Sequence, residues 1–270
     1  MTLIQAAVLG IVQGLTEFLP VSSSGHLVLA GYWLGWEDTL NGLDLTIAIA
    51  TNTGTFLAVL VVLWRDVWLA LSGFFGGLAS AEGRKQEGWK LALLVILGSV
   101  PTVAMGLGLE SIFEELNQPF YVCFGLTLTG LILWFAPTKG RKEDARDLTW
   151  TDALVGGVAQ GVAIVPGISR SGSTISAMLW RGATSDLGAR FSFMMYLVVS
   201  FGVTLRLLLD FSTAEILLGP LLMMVAASFI TGYAALLWLF HILRKGQFKW
   251  FAPYVWAAAA ITMGRLLFFS

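Results

Sequence analysis

The chain has 270 residues, of which 57% are apolar and only 12% are charged, whereas soluble domains carry about 25% charged residues. This composition excludes a disordered chain and a soluble cytosolic enzyme. The near balance of 16 basic and 17 acidic residues offers no positive field to a nucleic acid. With one cysteine, Cys123, an internal disulfide and a cysteine-based metal centre are also excluded. We therefore predict an integral membrane protein that binds no nucleic acid.

The apolar stretches give the predicted elements. A spanning helix needs about 20 mostly apolar residues. In chain order, the stretches that meet this demand are 45–64, 91–109, 119–136, 189–209, 216–240 and 250–268. Segment 66–79 is apolar but short, so we expect an interfacial helix there.

Two further apolar stretches, 3–35 and 150–182, are interrupted near their middles. Residues Pro20–Gly25 break the first, and Pro166–Gly172 break the second. Proline disrupts the helix that precedes it, and glycine permits a tight reversal. Each stretch is therefore predicted to be a re-entrant hairpin. The predicted fold class is an all-α integral membrane protein with six transmembrane helices plus two re-entrant helix-loop-helix hairpins.

The charges orient this layout. The loops near 65–90, 137–151, 181–190 and 241–249 hold 13 of the 16 basic residues. The loops near 36–44, 110–118 and 210–215 contain acidic residues but no lysine or arginine. By the positive-inside rule the basic face is cytoplasmic, so both termini and the mouth of the first hairpin lie outside. The second hairpin then enters from the cytoplasm.

An internal repeat appears at an offset of 147 residues, where 12 of the 34 residues between positions 2 and 35 match their partners. The copies are separated by three predicted spans, so they have opposite orientations. Inverted repeats with broken helices place polar groups near the bilayer midplane, between the copies. We predict one membrane domain, 1–270, made of repeat one (1–137), a cytoplasmic linker (138–147) and repeat two (148–270). The two hairpin tips should meet and form one polar chamber.

Three ionisable side chains fall inside the hairpins: Glu17, His26 and Arg170. A charge at bilayer depth costs about 2.5–3.5 kcal/mol on insertion scales, so such residues pair with each other or mark a site. A purely structural ion pair between Glu17 and Arg170 leaves His26 and the many nearby hydroxyls without a role. We therefore favour a functional site.

The chemistry of the tips indicates a phosphate ligand. Glycine-rich turns at helix starts direct backbone N–H groups at an anion, and Arg170 offers a fork of donors that matches phosphate oxygens. The candidate hydroxyls are those of Ser22, Ser23, Ser24, Ser169, Ser171, Ser173 and Thr174. A hydroxyl nucleophile needs a nearby base, and spacing leaves Glu17 and His26 as alternatives. Asn52, in the polar interruption 51–55, either supports the site or only packs helices, and Gln13 could reach the site.

The runs from Gln13 to His26 and from Pro166 to Thr174 resemble the bacterial undecaprenyl-pyrophosphate phosphatases of the bacitracin-resistance type. The resemblance covers essentially the whole chain. It implies hydrolysis of a C55 polyprenyl diphosphate to the monophosphate carrier lipid, at a site that faces the outside of the bacterial cytoplasmic (inner) membrane. The partners are then the lipid diphosphate and the bilayer, and a homodimer is left open.

Carried over by position, the resemblance makes Ser23 the nucleophile and Glu17 an acid of the (E/Q)xxxE motif. His26 becomes the motif histidine, and Arg170 the phosphate-binding arginine. Gln13 stands where some members have Glu, and Asn52 where relatives often have His or Gln. We expect no organic cofactor. A divalent cation, Mg²⁺ or Ca²⁺, stays open, with Gln13, Glu17 and Asn52 as residues that bind it or support the site.

Some of these features are compatible with two other functions. Inverted repeats with broken helices are also typical of transporters, in which Glu17 and His26 would couple transport to protons. The other large class of membrane lipid phosphatases requires a histidine six residues after the arginine of its Ser-Arg pair, where this chain has Ser176. That class is therefore excluded, and transport of a lipid remains the main alternative.

Overall fold

In this computed structural model, helix dominates the described part of the chain, which covers residues 1–36, 44–108, 115–210 and 218–268, without the side chains of 44–46 and 207–210. No β-strand occurs within those ranges. The α-helices described are α1 (Leu3–Phe18), α2 (Ser23–Leu34), α3 (Asp44–Val62), α4 (Trp64–Ala79), α5 (Glu87–Gly108), α6 (Pro119–Trp134), α7 (Trp150–Val162), α8 (Arg170–Trp180), α9 (Ser185–Asp210), α10 (Leu218–Arg244) and α11 (Phe251–Phe268). Most of the predicted acidic loop residues lie outside the described residues.

Helix length and composition identify an integral membrane protein, as the sequence predicts. Within the described ranges, four helices are long and apolar enough to cross a membrane: α5, α9, α10 and α11. A fifth span results if α3 and α4 count as one, although the two are bent by 81° at Leu63. The predicted span 119–136 corresponds to α6, a shorter apolar helix of 16 residues.

Both interrupted stretches fold as helix–turn–helix hairpins, α1–α2 and α7–α8. Each begins with a capping box, in which the side chain of Thr2 or Thr149 accepts from the backbone N–H three residues later. The second helix of each hairpin has a serine N-cap, Ser22 or Ser169. These caps occupy matching positions at the offset of 147, so the repeat extends to the hydrogen bonds that start each helix.

The hairpins pack on helices of the other predicted repeat. Helix α1 lies against α10, and α7 lies against α5. Gly10 and Gly157, which match at the offset of 147, make this approach possible. A methyl group on Gly10 would collide with the carbonyl oxygen of Met224, and one on Gly157 with that of Gly98. Each hairpin therefore has a close backbone contact with a helix of the other predicted repeat.

A buried carboxylate closes the open end of the second hairpin, outside the membrane-spanning helices. Asp152, in the first turn of α7, is fully buried and accepts from Lys142 Nζ at 2.5 Å and from Arg181 Nε at 2.7 Å. Burial favours its neutral form, but the hydrogen bonds from Lys142, Thr149 and Arg181 prevail and lower its pKa to about 2. The ion pairs thus fix the linker to both helices of the hairpin.

Candidate active site

The two hairpin tips meet. At a rise of about 1.5 Å per residue, α1 is about 24 Å long and α7 about 20 Å long. Together these lengths match the total bilayer thickness of about 40–45 Å, so hairpins that enter from opposite faces would touch within it. The tips are joined by a hydrogen bond of 3.3 Å from Ser171 Oγ to the carbonyl oxygen of Leu19.

Glu17 lies at the centre of the contact between the tips. Its Oε1 accepts from Arg170 Nη2, across the two hairpins. Its Oε2 accepts from Ser23 Oγ and, at 2.8 Å, from Gln13 Nε2. The carboxylate is 9% exposed and the guanidinium side chain 21%. The structure therefore brings together four of the residues selected from the sequence, with the hydroxyl of Ser23 bound directly to a potential base.

The first tip is shaped by an unusual backbone. Ser22 has φ = 71° and is the one non-glycine residue with a positive φ among those described. Such a conformation costs about 1–3 kcal/mol and is concentrated at functional sites. Ser22 Oγ caps α2 by accepting from the Gly25 N–H at 3.3 Å, and it lies 3.4 Å from Ser24 Oγ. This turn places Ser23 at the first position of α2, facing Glu17.

The second tip divides its hydroxyls between two roles. Ser169 Oγ caps α8 through the Gly172 N–H at 3.1 Å, and Ser171 Oγ bonds to the first tip. By contrast, the hydroxyls of Ser173 and Thr174 are buried and have no hydrogen-bond partner among the described residues. Buried hydroxyls normally have a partner. These two hydroxyls make no hydrogen bond within the described residues, whereas those of Ser169 and Ser171 hold the tip together.

Thr129 is a supporting residue that the sequence analysis missed. Its Oγ1 donates to the Gly167 carbonyl oxygen and accepts from the Ser169 N–H, both at 2.8 Å. It thereby fixes the turn just before Arg170. A threonine within an apolar helix carries no local sign of this role, because the contact spans about 40 residues.

The hydrogen bonds of His26 in the described structure go to groups other than Glu17 and Ser23. Its Nδ1 is 2.8 Å from the Ser22 carbonyl oxygen, and its Nε2 is 2.9 Å from the hydroxyl of Tyr254. The imidazole also stacks on the ring of Tyr254, with centroids 5.6 Å apart. Both ring nitrogens are thus engaged, and the geometry favours Glu17 over His26 as the base for Ser23.

Asn52 belongs to a polar cluster between α3 and α9. Its Oδ1 accepts from Ser200 Oγ at 2.8 Å and from the Tyr196 hydroxyl at 3.3 Å, while its Nδ2 donates to Thr204 Oγ1 at 2.5 Å. Thr55 Oγ1 lies 3.0 Å from the same Tyr196 hydroxyl. The amide of Asn52 is therefore occupied by protein groups.

The tips supply few ligands for a divalent cation. Across the described residues, no group of three or more His, Cys, Asp or Glu side chains is positioned to hold a metal ion. Mg²⁺ and Ca²⁺ require several oxygen ligands, but Glu17 already binds Arg170, Ser23 and Gln13. With the amide of Asn52 also engaged, the residues present do not fit a cation held by the protein alone.

The arrangement suits attack on a phosphoryl group. A serine hydroxyl bound to a carboxylate can act as a nucleophile with its base in place. Arg170 and the N-termini of α2 and α8 supply positive charge at the same point. The site combines a serine hydroxyl, a carboxylate bound to it and groups that can stabilise an anion within two turns.

Comparison with known proteins agrees with this chemistry. The family described as bacitracin resistance protein BacA matches residues 6–261. The chain is similar to an undecaprenyl-diphosphatase of Acaryochloris marina, with 67% identity over 97% of this chain and 98% of the relative. It is also similar to undecaprenyl-diphosphatases of Desulfatibacillum aliphaticivorans, with 39% identity over 96% and 97% of the two chains, and of Carboxydothermus hydrogenoformans, with 39% identity over 93% of each.

Proposed function

The chain belongs to the bacitracin resistance protein BacA family and is an undecaprenyl-diphosphatase, and on that premise we propose that the cluster of Glu17, Ser23 and Arg170 is its catalytic centre. The enzyme hydrolyses undecaprenyl diphosphate to the monophosphate and inorganic phosphate, which recycles the carrier lipid of the cell wall. The observation that carries the proposal is the carboxylate of Glu17, which binds the nucleophile on one oxygen and the phosphate-binding arginine on the other. The relatives named above are enzymes, which favours hydrolysis over transport alone.

In the first step, the terminal phosphate of the lipid takes the place of Glu17 on the fork of Arg170. Ser23 Oγ then attacks the terminal phosphorus, and Glu17 accepts its proton. The bond from that phosphorus to the bridging oxygen breaks, and the lipid monophosphate leaves with the proton from Glu17 on its freed oxygen, so that Glu17 is a carboxylate again. Arg170, the two helix N-termini and the unpartnered hydroxyls of Ser173 and Thr174 bind the charge that spreads over the phosphoryl oxygens.

In the second step, a water molecule attacks the phosphoserine at position 23. Glu17 removes a proton from the water, the bond from phosphorus to Ser23 Oγ breaks, and the serine recovers its proton. Inorganic phosphate is released. Ser22 and Ser24, at the start of α2, complete the turn that presents Ser23.

The membrane arrangement that accompanies this mechanism has six spans and two re-entrant hairpins, with the basic face in the cytoplasm. The packing of α1 on α10 and α7 on α5 supports it, as does the placement of 13 of the 16 basic residues on one face. The protein then lies in the bacterial inner membrane, with the mouth of the first hairpin outside.

Two experiments test these proposals. Purified protein in detergent should release phosphate from a C55 diphosphate, and Ser23→Ala and Arg170→Ala should abolish the release without loss of folding. Retained activity in Ser23→Ala would leave direct attack by water as the mechanism.

For the orientation, cysteines introduced at Arg141 or Leu218 in a Cys123→Ala background are treated with an impermeant maleimide on intact cells. We expect labelling at position 218 alone. Labelling at position 141 would show that the protein has the opposite orientation in the membrane.

A further inference from the structure

The guanidinium of Arg170 rests on an aromatic ring that the proposed chemistry has not used. Its Cζ lies 3.9 Å from the centroid of the Tyr196 ring. Tyr196 is buried, with 3% of its surface exposed. A cation over the face of a desolvated aromatic ring is stabilised by the ring's electron density. The ring covers one face of the guanidinium and leaves its N–H fork free to point at oxygen atoms.

The position of this ring is fixed from both sides. Its edge packs against Phe18 in a T-shaped contact, with centroids 6.2 Å apart. Its hydroxyl lies 3.0 Å from Thr55 Oγ1 and donates to Asn52 Oδ1 at 3.3 Å. Asn52 is itself held by Ser200. A polar cluster inside an apolar helix pair is costly unless its members satisfy one another, and here the satisfied cluster sets the orientation of one ring.

Glu17 and Tyr196 restrain Arg170 in different ways. The ion pair with Glu17 occupies the donors that a phosphate would use, so an incoming diphosphate must displace it. The contact with Tyr196 brings Arg170 Cζ to 3.9 Å from the ring centroid, close enough for the guanidinium to lie across the ring, and such a contact can persist while the fork binds phosphate. Without the ring, a long and flexible side chain would lose its orientation at the moment when Glu17 is displaced.

We propose that Tyr196 is a positioning residue that holds the Arg170 guanidinium flat against its ring while the fork exchanges Glu17 for a substrate phosphate, and that the cluster of Asn52, Thr55 and Ser200 fixes the ring. This inference rests on the proposed function, because it assigns phosphate binding to Arg170. It also assigns a role to Asn52, whose amide oxygen accepts from the Tyr196 hydroxyl and so orients the ring.

The test compares ring removal at two matched positions. Tyr196→Leu removes the platform. Phe193→Leu removes a buried ring one turn earlier on α9 that also packs against Phe18, at 5.6 Å, whereas among the described residues Arg170 lies over the ring of Tyr196. Binding of inorganic diphosphate is measured by calorimetry, because this probe also works with inactive variants. Tyr196→Leu should weaken binding more than tenfold and raise KM for the lipid substrate in parallel, with a smaller change in kcat. Phe193→Leu should change both values less than threefold, whereas Tyr196→Phe keeps the ring but loses the hydroxyl that the cluster holds, so its loss should lie between those of Phe193→Leu and Tyr196→Leu.

A second series keeps the shape of the ring. Phenylalanines that carry one, three or five fluorine atoms are incorporated at position 196, so the electron density over the ring falls while its volume barely changes. Affinity for inorganic diphosphate should fall stepwise with fluorination. Equal losses in Tyr196→Leu and Phe193→Leu, or a flat response to fluorination, would overturn the proposal. Arg170→Gln distinguishes failure of the proposed site from failure of the positioning role. If Arg170→Gln leaves the affinity for diphosphate intact, the proposed phosphate site is wrong. If Arg170→Gln lowers the affinity but Tyr196→Leu does not, only the positioning role of Tyr196 is rejected.

Discussion

The hydroxyl of Ser23 donates a hydrogen bond to the carboxylate of Glu17, six residues earlier on the other helix of the first hairpin. In the proposed mechanism, this contact makes Glu17 the base. Glu17→Gln keeps a hydrogen-bond acceptor for Ser23 but cannot take its proton, so kcat for phosphate release should fall about 10²–10⁴-fold. The measurement is a phosphate-release assay in detergent with a C55 diphosphate.

Two observations would contradict that role. One is wild-type kcat in Glu17→Gln. The other is an accumulated phosphoserine in Glu17→Gln at a formation rate equal to that of the wild type, which would limit Glu17 to the second step. Glu82→Gln is a suitable control, because Glu82 forms an exposed pair with Lys85 far from the tips.

For His26, we expect a supporting role only. Its ring nitrogens already bind the Ser22 carbonyl oxygen and the Tyr254 hydroxyl. His26→Gln should lower kcat less than tenfold, through a looser first tip, and should leave the shape of the pH–rate profile unchanged. Tyr254→Phe should have a similar, smaller effect. If His26→Gln removes a limb of the pH profile, the histidine is the base and the assignment of Glu17 fails.

The free protein is not expected to bind a divalent cation tightly. Glu17 is the one described carboxylate at the tips, and its oxygens are engaged. Titration of Mg²⁺ or Ca²⁺ into the substrate-free protein should give no saturable heat in the micromolar range. Saturable binding that Glu17→Gln abolishes would show a site that this donor set does not predict.

Asp152 should make the free energy of unfolding depend on pH in the acidic range. Its pKa is lowered to about 2, below the ordinary carboxyl value, so its contribution is complete above about pH 4 and is lost as the pH falls through about 2. Asp152→Asn should therefore lower the free energy of unfolding at pH 7 by about 2 kcal/mol or more, measured by denaturant unfolding in detergent. The loss should shrink toward pH 2, and an equal loss at pH 7 and pH 2 would contradict the assignment.

The close contacts between hairpins and helices predict strong sensitivity to one methyl group. Gly10→Ala and Gly157→Ala each place a Cβ against a backbone carbonyl, so each should lower Tm by several degrees. Gly264→Ala is the matched control, because a Cβ there meets nothing within 4 Å. It should leave Tm unchanged or raise it slightly, since alanine favours a helix by about 1 kcal/mol over glycine. If Gly264→Ala lowers Tm as much as Gly157→Ala does, close packing is not the cause of the loss.

Local patterns were enough to predict the hairpins and the meeting of Glu17 with Arg170. Proline and glycine mark the breaks, the repeat pairs the tips, and a charge at depth needs a partner. Thr129 and Tyr254 could not be found this way, because each acts on a residue far along the chain. Tyr196 left a weak signal that was missed: Ser192, Tyr196, Ser200 and Thr204 recur every four residues and form a polar stripe on one face of α9.

Ser23 and Arg170 occupy the same position in the two copies, since they are 147 residues apart. A chamber built by two identical copies would treat both ends of a diphosphate alike. Here one position carries a hydroxyl in the first copy and a guanidinium in the second, while the counterpart of Glu17 is Ile164. If the site acts as proposed, divergence at these positions gives it a direction, so that only one of the two phosphorus atoms of a bound lipid diphosphate would face Ser23.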